Sequence, residues 1–312
     1  MNVLVMSISK KVPMLKAIKD ALHQIEGTSL LFGADTNDQC IGRYFVDEYW
    51  HCPPLSRLPI QDFIEYCLTK NITVVFPSRD GELSYFAQYR GKLGEKGIYT
   101  MISDIGAVEL SLDKLLFSQK LNEVGFSSIP SFEDVKFDTD HYVVKERFGA
   151  ASKQVGIRLN RDQALRYSMQ LRIPIFQPYI DGVECSADVY VDQNYQTKGV
   201  IVRKRNYVEA GESQITASFH HPGYEKMFGE IAEYFRLKGH VMFQFIVDQS
   251  GTPHIIECNA RFGGASTLSL SMGLDSFYWF IQESRGIPSS ELPFKRSLKE
   301  KTLIRHAEDF II

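Results

Sequence analysis

The chain lacks any apolar run approaching the ~20 residues that a membrane-spanning helix needs, so no segment of it reads as a span. It also lacks a large excess of charge. The formal net charge is −3, which gives no electrostatic reason to expect nucleic acid or an acidic membrane as a partner. Cysteine is sparse: Cys40, Cys52, Cys67, Cys185 and Cys258 are odd in number and have no metal-ligand spacing. They read as reduced thiols, three of them in apolar surroundings where cysteine is usually a small core residue. The opening MNVLVMSISKKVPML puts its basic residues after its apolar run, the reverse of a secretory signal. The expectation is a cytoplasmic protein. The turn after the first strand, Ser7-Ile8-Ser9-Lys10-Lys11, has no GxGxxG, which excludes a dinucleotide site there. No internal repeat or low-complexity segment is present.

What remains is an ordinary globular composition, 44% hydrophobic and 23% charged, over 312 residues, long enough for more than one domain. The first third alternates strands with helices: Asn2 to Ile8, then Pro13 to Ile25; Thr28 to Phe32, then Ile60 to Leu68; Thr73 to Phe76, then a helix carrying Leu83, Phe86 and Ala87. Repeated strand–helix units imply a parallel sheet covered on both faces. The third strand ends in Pro77-Ser78-Arg79-Asp80-Gly81-Glu82. Asp80 and Glu82 can be substrate contacts at the carboxyl end of the sheet, or Asp80 can cap the following helix; the cap is the commoner use of such a residue. A boundary falls near Ser103 to Ser111, and Asp113 opens a helix, Lys114 to Val124, stopped by Gly125 and Pro130.

Beyond it, residues 141–158 read as two strands around a loop, and Asn160 to Leu171 as a helix. Cys185, Ala187, Val189 and Val191 alternate with Glu184, Ser186, Asp188 and Tyr190, the pattern of a half-buried strand. Further strands follow at Ile201 to Tyr207 and Ser213 to Phe219. Pro222 to Leu237 is an amphipathic helix, and Thr267 to Glu283 a helical region broken by Gly273. Between the last two helical regions lies the stretch that organises the chain, an apolar run Val241 to Val247, a turn from Asp248 to Pro253, and a second strand His254 to Cys258.

Chemistry concentrates in four places. Glu257 and Asn259 share one strand face, with Ile256 and Cys258 on the other, so a carboxylate and an amide oxygen stand side by side. Such oxygens suit Mg²⁺, and Arg261 could meet a phosphate; a capped strand end with Glu257 paired to Arg261 fits equally. Lys145 ends the strand Tyr142-Val143-Val144-Lys145. Taken alone it would be a snorkelling surface lysine. The small-residue loop behind it, Gly149 to Ser152, can lay backbone N–H groups against phosphate oxygens. In QPYIDGVE, Gln177 and the strand end at Tyr179 and Ile180 can hold an adenine edge, and Glu184 can accept from ribose hydroxyls; alternatively Asp181-Gly182 is a turn and Glu184 is solvated. His220 and His221 precede Pro222 at a strand–helix junction and read as a surface turn.

Lys114, VVKERFGAAS, QPYIDGVE and Gln244…Glu257-Cys258-Asn259-Ala260-Arg261 occur in the order found in ATP-grasp enzymes. The detail resembles the carbamoyl-phosphate-synthase large-chain branch and its small carboxylate–amine ligase relatives. The resemblance covers nearly the whole chain. It implies an α/β architecture with an N-terminal Rossmann-like parallel domain (residues 1–108), a small α+β lid (109–180) and a C-terminal α+β domain with an antiparallel sheet (181–312). It implies that Lys114 and Lys145 bind ATP phosphates, with Gly149 and Ser152 in the loop over them. Gln177 and the backbone of Tyr179 and Ile180 would hold adenine, and Glu184 the ribose. Gln244, Glu257 and Asn259 would hold Mg²⁺ or Mn²⁺. Arg261 would stabilise the transferring phosphoryl group, and Arg203 would lie near the γ-phosphate, with Lys204 or Arg205 as alternatives. Asp188 would be supporting or solvated.

The chain departs from relatives at Glu146, where proline is common, in the glycine-poor loop, and in having an amide at Gln244. The activity implied is ATP- and Mg²⁺-dependent ligation of a small-molecule carboxylate to an amine through an acyl-phosphate, in a protein that can form a homodimer. Two alternatives are a carbamoyl-phosphate-synthase-like subunit phosphorylating bicarbonate or carbamate, and a non-catalytic ATP-binding subunit.

Overall fold

The structure is a computed structural model that describes residues 1–135, 137–149 and 154–312. Among these the strands form three sheets. The first is parallel, with strands β1 (Asn2–Met6), β2 (Leu31–Asp35), β3 (Glu48–His51), β4 (Ile72–Phe76) and β5 (Tyr99–Thr100) in the order β3-β2-β1-β4-β5. Helices α1 (Val12–His23), α2 (Ile60–Thr69), α3 (Asp80–Gly94) and α4 (Ile105–Leu112) accompany it, and α5 (Lys114–Glu123) follows at once. The order reverses between β1 and β4, so the crevice beyond their carboxyl ends is the place where such a sheet binds ligands.

A small antiparallel sheet comes next: β6 (Tyr142–Glu146), β7 (Gly156–Leu159) and β8 (Pro174–Pro178), with α6 (Arg161–Ser168) packed on it. The last sheet is the largest. It runs β13-β12-β9-β10-β11-β14, built from β9 (Gly182–Val191), β10 (Thr197–Glu209), β11 (Glu212–Phe219), β12 (Gly239–Asp248), β13 (Pro253–Asn259) and β14 (Thr302–Ile304). Helices α7 (Pro222–Tyr234), α8 (Thr267–Ser271) and α9 (Ser276–Ser284) cover its two faces. The first and last sheets share cores: one apolar cluster joins Leu4, Phe32, Phe63 and Phe86 to Val189, Phe228, Phe243 and Ile255. The small sheet has its own cluster of Val135, Tyr142, Val144, Ala164 and Phe176. No helix among the described residues is long and apolar enough to cross a membrane. All five cysteines are buried and free.

Several elements depart from the sequence reading for physical reasons. β2 starts at Leu31, three residues late, because its register is set by pairing Val3 with Leu31 on β1. The stretch read as a boundary, Ser103 to Ser111, contains α4. The final helical region does break at Gly273, as its sequence reads; φ there is +102° and a Cβ would lie 2.2 Å from the Lys295 carbonyl oxygen, so only glycine fits. β9 is not half-buried: Ser186, Asp188 and Tyr190 are as buried as the apolar residues between them. The region from Phe262 to α9 covers that face, and its Ser266, Ser269 and Glu283 supply hydrogen-bond partners to Asp188 and Tyr190.

Candidate active site

A cavity of about 440 Å³ lies between the small sheet and the large one. Lys114, Lys145, Gly149, Gln177, Tyr179, Ile180, Glu184, Gln244 and Glu257 all line it, so the three separated motifs meet in one cleft. Ser152 and the rest of Ala150 to Lys153 lie outside the described residues.

Lys145 is not a snorkelling residue. It is 6% exposed on β6, and burial lowers its pKa to about 8, against a raising effect from Glu257 and a further lowering from Lys114. Lys114 sits at the first position of α5, where the Asp113 carboxylate caps the helix by accepting from Leu116 N–H at 3.1 Å. Its ammonium donates to the Gly149 carbonyl and stands 3.6 Å from Glu257 Oε2. Glu146, the departure from proline, accepts from the backbone N–H of Arg172 at 2.6 Å and of Ile173 at 3.1 Å, tying the end of β6 to the start of β8.

Gln177 is buried, its amide donating to Ser131 Oγ at 2.7 Å. The Tyr179 N–H already donates to the His141 carbonyl at 2.9 Å. Among the described residues the Ile180 N–H and Tyr179 carbonyl have no backbone partner. Glu184 is not simply solvated, because Arg205 donates to it from Nη1.

Gln244 pairs directly with Glu257 across β12 and β13, and a bulge follows between Gln244 and Phe245. The bulge changes the parity of the strand. Ile255 and Cys258 face the core, whereas Ile256 lines the cavity with Glu257, correcting the simple alternation. The Asn259 amide donates to Glu257 Oε1 at 3.3 Å, so the carboxylate and both amides stand together. Glu257 is paired with Lys114 and not with Arg261.

Arg261 instead holds Asp80, Nε to Oδ1 and Nη2 to Oδ2, each at 2.7 Å, and reaches Asn259 Oδ1 at 3.2 Å. Asp80 is therefore not the cap of α3; Arg79 occupies that position. Glu82 is buried and accepts from the Ser78 N–H at 2.9 Å, the Arg79 N–H at 3.2 Å and the Ser7 hydroxyl. It organises the turn and does not line the cavity. Ser9 likewise serves Asp35, at 2.8 Å from its N–H and 2.9 Å from its hydroxyl.

The three cations of VIVRKRNY separate. Arg203 is 1% exposed and donates from Nε to Asp188 at 2.8 Å. Lys204 is exposed, against the Phe219 ring. Arg205 lines the first cavity, donating to Glu184 and, at 3.1 Å, to Gln244 Oε1. Asp188 is fully buried, not solvated. Burial would raise its pKa, but the Arg203 guanidinium and hydrogen bonds from His240 and Ser266 outweigh that and hold it well below the usual carboxylate range. His220 and His221 are surface groups; His221 Nδ1 caps α7 by accepting from Tyr224 N–H at 3.1 Å.

Arg205, Gln244 and Glu257 also line a second cavity of about 290 Å³, which opens against the carboxyl ends of β1 and β4. Asp80, Asn259 and Arg261 belong to it, as does the edge of Arg203. It contains residues the sequence reading did not single out: Lys11, Ser186 and Arg305. Lys11 carried a usable signal, a basic residue in the turn after the first strand of a parallel sheet. Ser186 and Arg305 carried none.

A sequence profile for the family described as ATP-grasp in the biosynthetic pathway with Ter operon matches residues 171–306. No curated protein sequence matches the chain. Solved structures share the fold at low identity. One is the biotin carboxylase domain of Hydrogenobacter thermophilus 2-oxoglutarate carboxylase, with MgADP, ADP and bicarbonate. It is 16% identical with a TM-score of 0.71, covering 94% of this chain and 72% of that one. Another is an L-amino acid ligase from Bacillus licheniformis, 15% identical with a TM-score of 0.70, covering 96% of this chain and 78% of that one. A third is N5-carboxyaminoimidazole synthetase from Staphylococcus aureus, 15% identical with a TM-score of 0.72, covering 96% and 81%. Parallel sheet, small antiparallel sheet and large antiparallel sheet, with a cleft between the last two, are the fold that this chain shares with these structures, and its residues 171–306 are similar to the ATP-grasp family.

Proposed function

We propose that the chain is an ATP-dependent ligase that activates a small-molecule carboxylate as an acyl-phosphate and couples it to an amine. The observation that carries this reading is the shared wall. Arg205, Gln244 and Glu257 bound both the cavity that holds Lys114, Lys145 and Glu184 and the second cavity beyond. A nucleotide in the first would point its terminal phosphate at an acid in the second.

Phosphoryl transfer asks mainly for positioning and charge stabilisation. Lys114 and Lys145 supply charge at the phosphates. Gln177, the Ile180 N–H and the Tyr179 carbonyl supply an adenine-type edge, and Glu184 a ribose acceptor once Arg205 shares its hydrogen bonds. Arg205 stands where charge moves between the two substrates. Arg261 acts through others: fixed by Asp80, it holds Asn259 beside Glu257. In the first step the carboxylate oxygen attacks the γ-phosphorus and ADP leaves. In the second the amine attacks the acyl carbon and phosphate leaves, the amine losing a proton.

Mg²⁺ or Mn²⁺ would be held by Glu257 with the amide oxygens of Asn259 and Gln244, and would supply neutralisation of phosphate charge. One carboxylate and two amides fit a cation that keeps most of its ligands from phosphates and water. No cluster of three His, Cys, Asp or Glu side chains suited to a resident metal occurs among the described residues. Phosphorylation of bicarbonate is the second reading; a 290 Å³ cavity with a heavily charged wall favours a larger acid.

The test is an ADP-release screen of purified protein over carboxylic acids, with and without amines, and with hydroxylamine to trap the acyl-phosphate as a hydroxamate. Acid-dependent ADP and hydroxamate formation is the expected result. Absence of Mg²⁺-dependent nucleotide binding would sink the proposal.

A further inference from the structure

The wall of the second cavity carries six cationic side chains, Lys11, Arg79, Arg203, Arg205, Arg261 and Arg305, against three carboxylates, Asp80, Glu212 and Glu257. One acyl-phosphate site does not need so many. Their pairing separates them into two groups. Arg261 is saturated by Asp80, and Arg205 and Arg305 are paired with Glu184 and Glu212. Lys11 and Arg79 have no ion-pair partner among the described residues.

Lys11 is nevertheless largely withdrawn from water. Burial lowers its pKa and the neighbouring Arg261 lowers it further, against smaller raising effects from Glu212, Glu82 and Asp80, none of which is an ion-pair partner. Arg203 spends only its Nε on Asp188. Its terminal nitrogens have a hydroxyl at 3.5 Å and the Met242 thioether at 3.2 Å, both weak acceptors for a guanidinium. Beside it on β9, Ser186 Oγ is buried with no hydrogen-bond partner among the described residues, and Ser186 lines the same cavity. A buried hydroxyl without a partner costs free energy, and a ligand oxygen would supply one.

The unspent donors lie on two elements sets. Ser186 and Arg203 come from β9 and β10 at the shared wall, beside the already paired Arg205. Lys11 and Arg79 come from the turns after β1 and β4, on the far side. Arg305 reaches the same space from beyond β14, packed over Gly264, where a Cβ would sit 2.7 Å from its Nη2. An acid with a single charge would satisfy the first set and leave Lys11 and Arg79 bare.

We infer that the acid taken by this cavity carries a second anionic group, a carboxylate or a phosphate, bound by Lys11 and Arg79 while its reacting carboxylate lies at Ser186 and Arg205. This rests on the ligase reading above and adds the substrate class to it.

The test compares charge at constant shape. With saturating ATP and Mg²⁺, ADP release and calorimetric binding are measured for glutamate against glutamine, aspartate against asparagine, succinate against succinamate, and O-phosphoserine against serine. The dicarboxylates and the phospho-acid separate the two sources of the second charge. At least one dianionic acid should exceed its neutralised partner at least tenfold in kcat/KM or affinity. Lys11→Met should cost that acid about tenfold in KM, leave its neutralised partner unchanged, and be rescued by Lys11→Arg. Binding of a fluorescent ATP analogue should not change in Lys11→Met, because Lys11 does not line the first cavity. Equal use of acid and amide partners, no binding of any dianion, or an equal loss for both partners in Lys11→Met overturns the inference while leaving the ligase reading standing. Loss of nucleotide binding in the unmodified protein overturns the ligase reading itself.

Discussion

Arg261 and Asp80 are joined by two parallel hydrogen bonds of 2.7 Å across 181 positions of sequence. The pair ties the carboxyl end of β13 to the start of α3, and so fixes the large sheet against the parallel one where the second cavity lies. Both side chains are mostly shielded, 16% and 17% exposed. Arg261→Lys keeps the charge but loses the two-pronged fit. It should lower stability by about 1–2 kcal/mol and ADP release at least tenfold, with nucleotide affinity preserved. Thermal denaturation and analogue binding read the two effects separately. Unchanged turnover would remove Arg261 from the positioning role.

Lys145 titrates near pH 8 in the ligand-free protein because burial opposes its charge. The unfolded chain keeps the proton to about pH 10.4. Between those values the unfolded state binds more protons, so this group's contribution to stability rises with pH and its cost is fully present below pH 8. Nucleotide phosphates should draw the proton back. Calorimetry in buffers of different ionisation enthalpy should therefore show proton uptake on ATP binding above about pH 8 and little at pH 6.5. Lys145→Met should abolish that uptake.

Glu257 touches both cavities and carries the carboxylate beside Lys114 and Asn259. Glu257→Gln should reduce ADP release by roughly a hundredfold or more, the scale of losing one electrostatic group at a reacting centre. It should also weaken the dependence on Mg²⁺. A variant with wild-type turnover and metal dependence would exclude Glu257 from metal binding.

Asp188 is completely buried with Arg203 and His240, and accepts from Ser269 at 2.6 Å as well as from Ser266. Asp188→Asn leaves the Arg203 charge uncompensated in the core. The expected loss is about 3–5 kcal/mol in unfolding free energy. Since its pKa is depressed on folding, the stability Asp188 contributes is present above about pH 4 and falls as the solution is acidified below it. Chemical denaturation at pH 7 and pH 3 should show the variant's deficit shrinking at the lower pH.

Much of the site was legible from local pattern. The hairpin of β12 and β13 follows from two apolar runs around a Gly-Pro turn, and the cap at Asp113 from its position before Lys114. The motif order named the residues that line the first cavity, because each motif is a short strand end whose side chains are positioned by its own backbone. The bulge beside Gln244 escaped that reading, since it arises from pairing with the neighbouring strand.

The sequence by itself determined the alternation of strands and helices, the three-part order of sheets, and the lysines, glutamates and amides brought to the cleft. Tertiary structure alone decided which cation faces which anion. Arg203, Lys204 and Arg205 are adjacent in sequence, yet one is buried on Asp188, one is exposed, and one stands between the cavities. Asp80 reads as a helix cap until Arg261 comes within reach, and Lys11 and Arg305 line one cavity from opposite ends of the chain. Periodicity reports which side of an element a residue takes. It carries no information on what covers that side, and the Coulomb energy of a charge depends on its neighbours and on their exclusion of water.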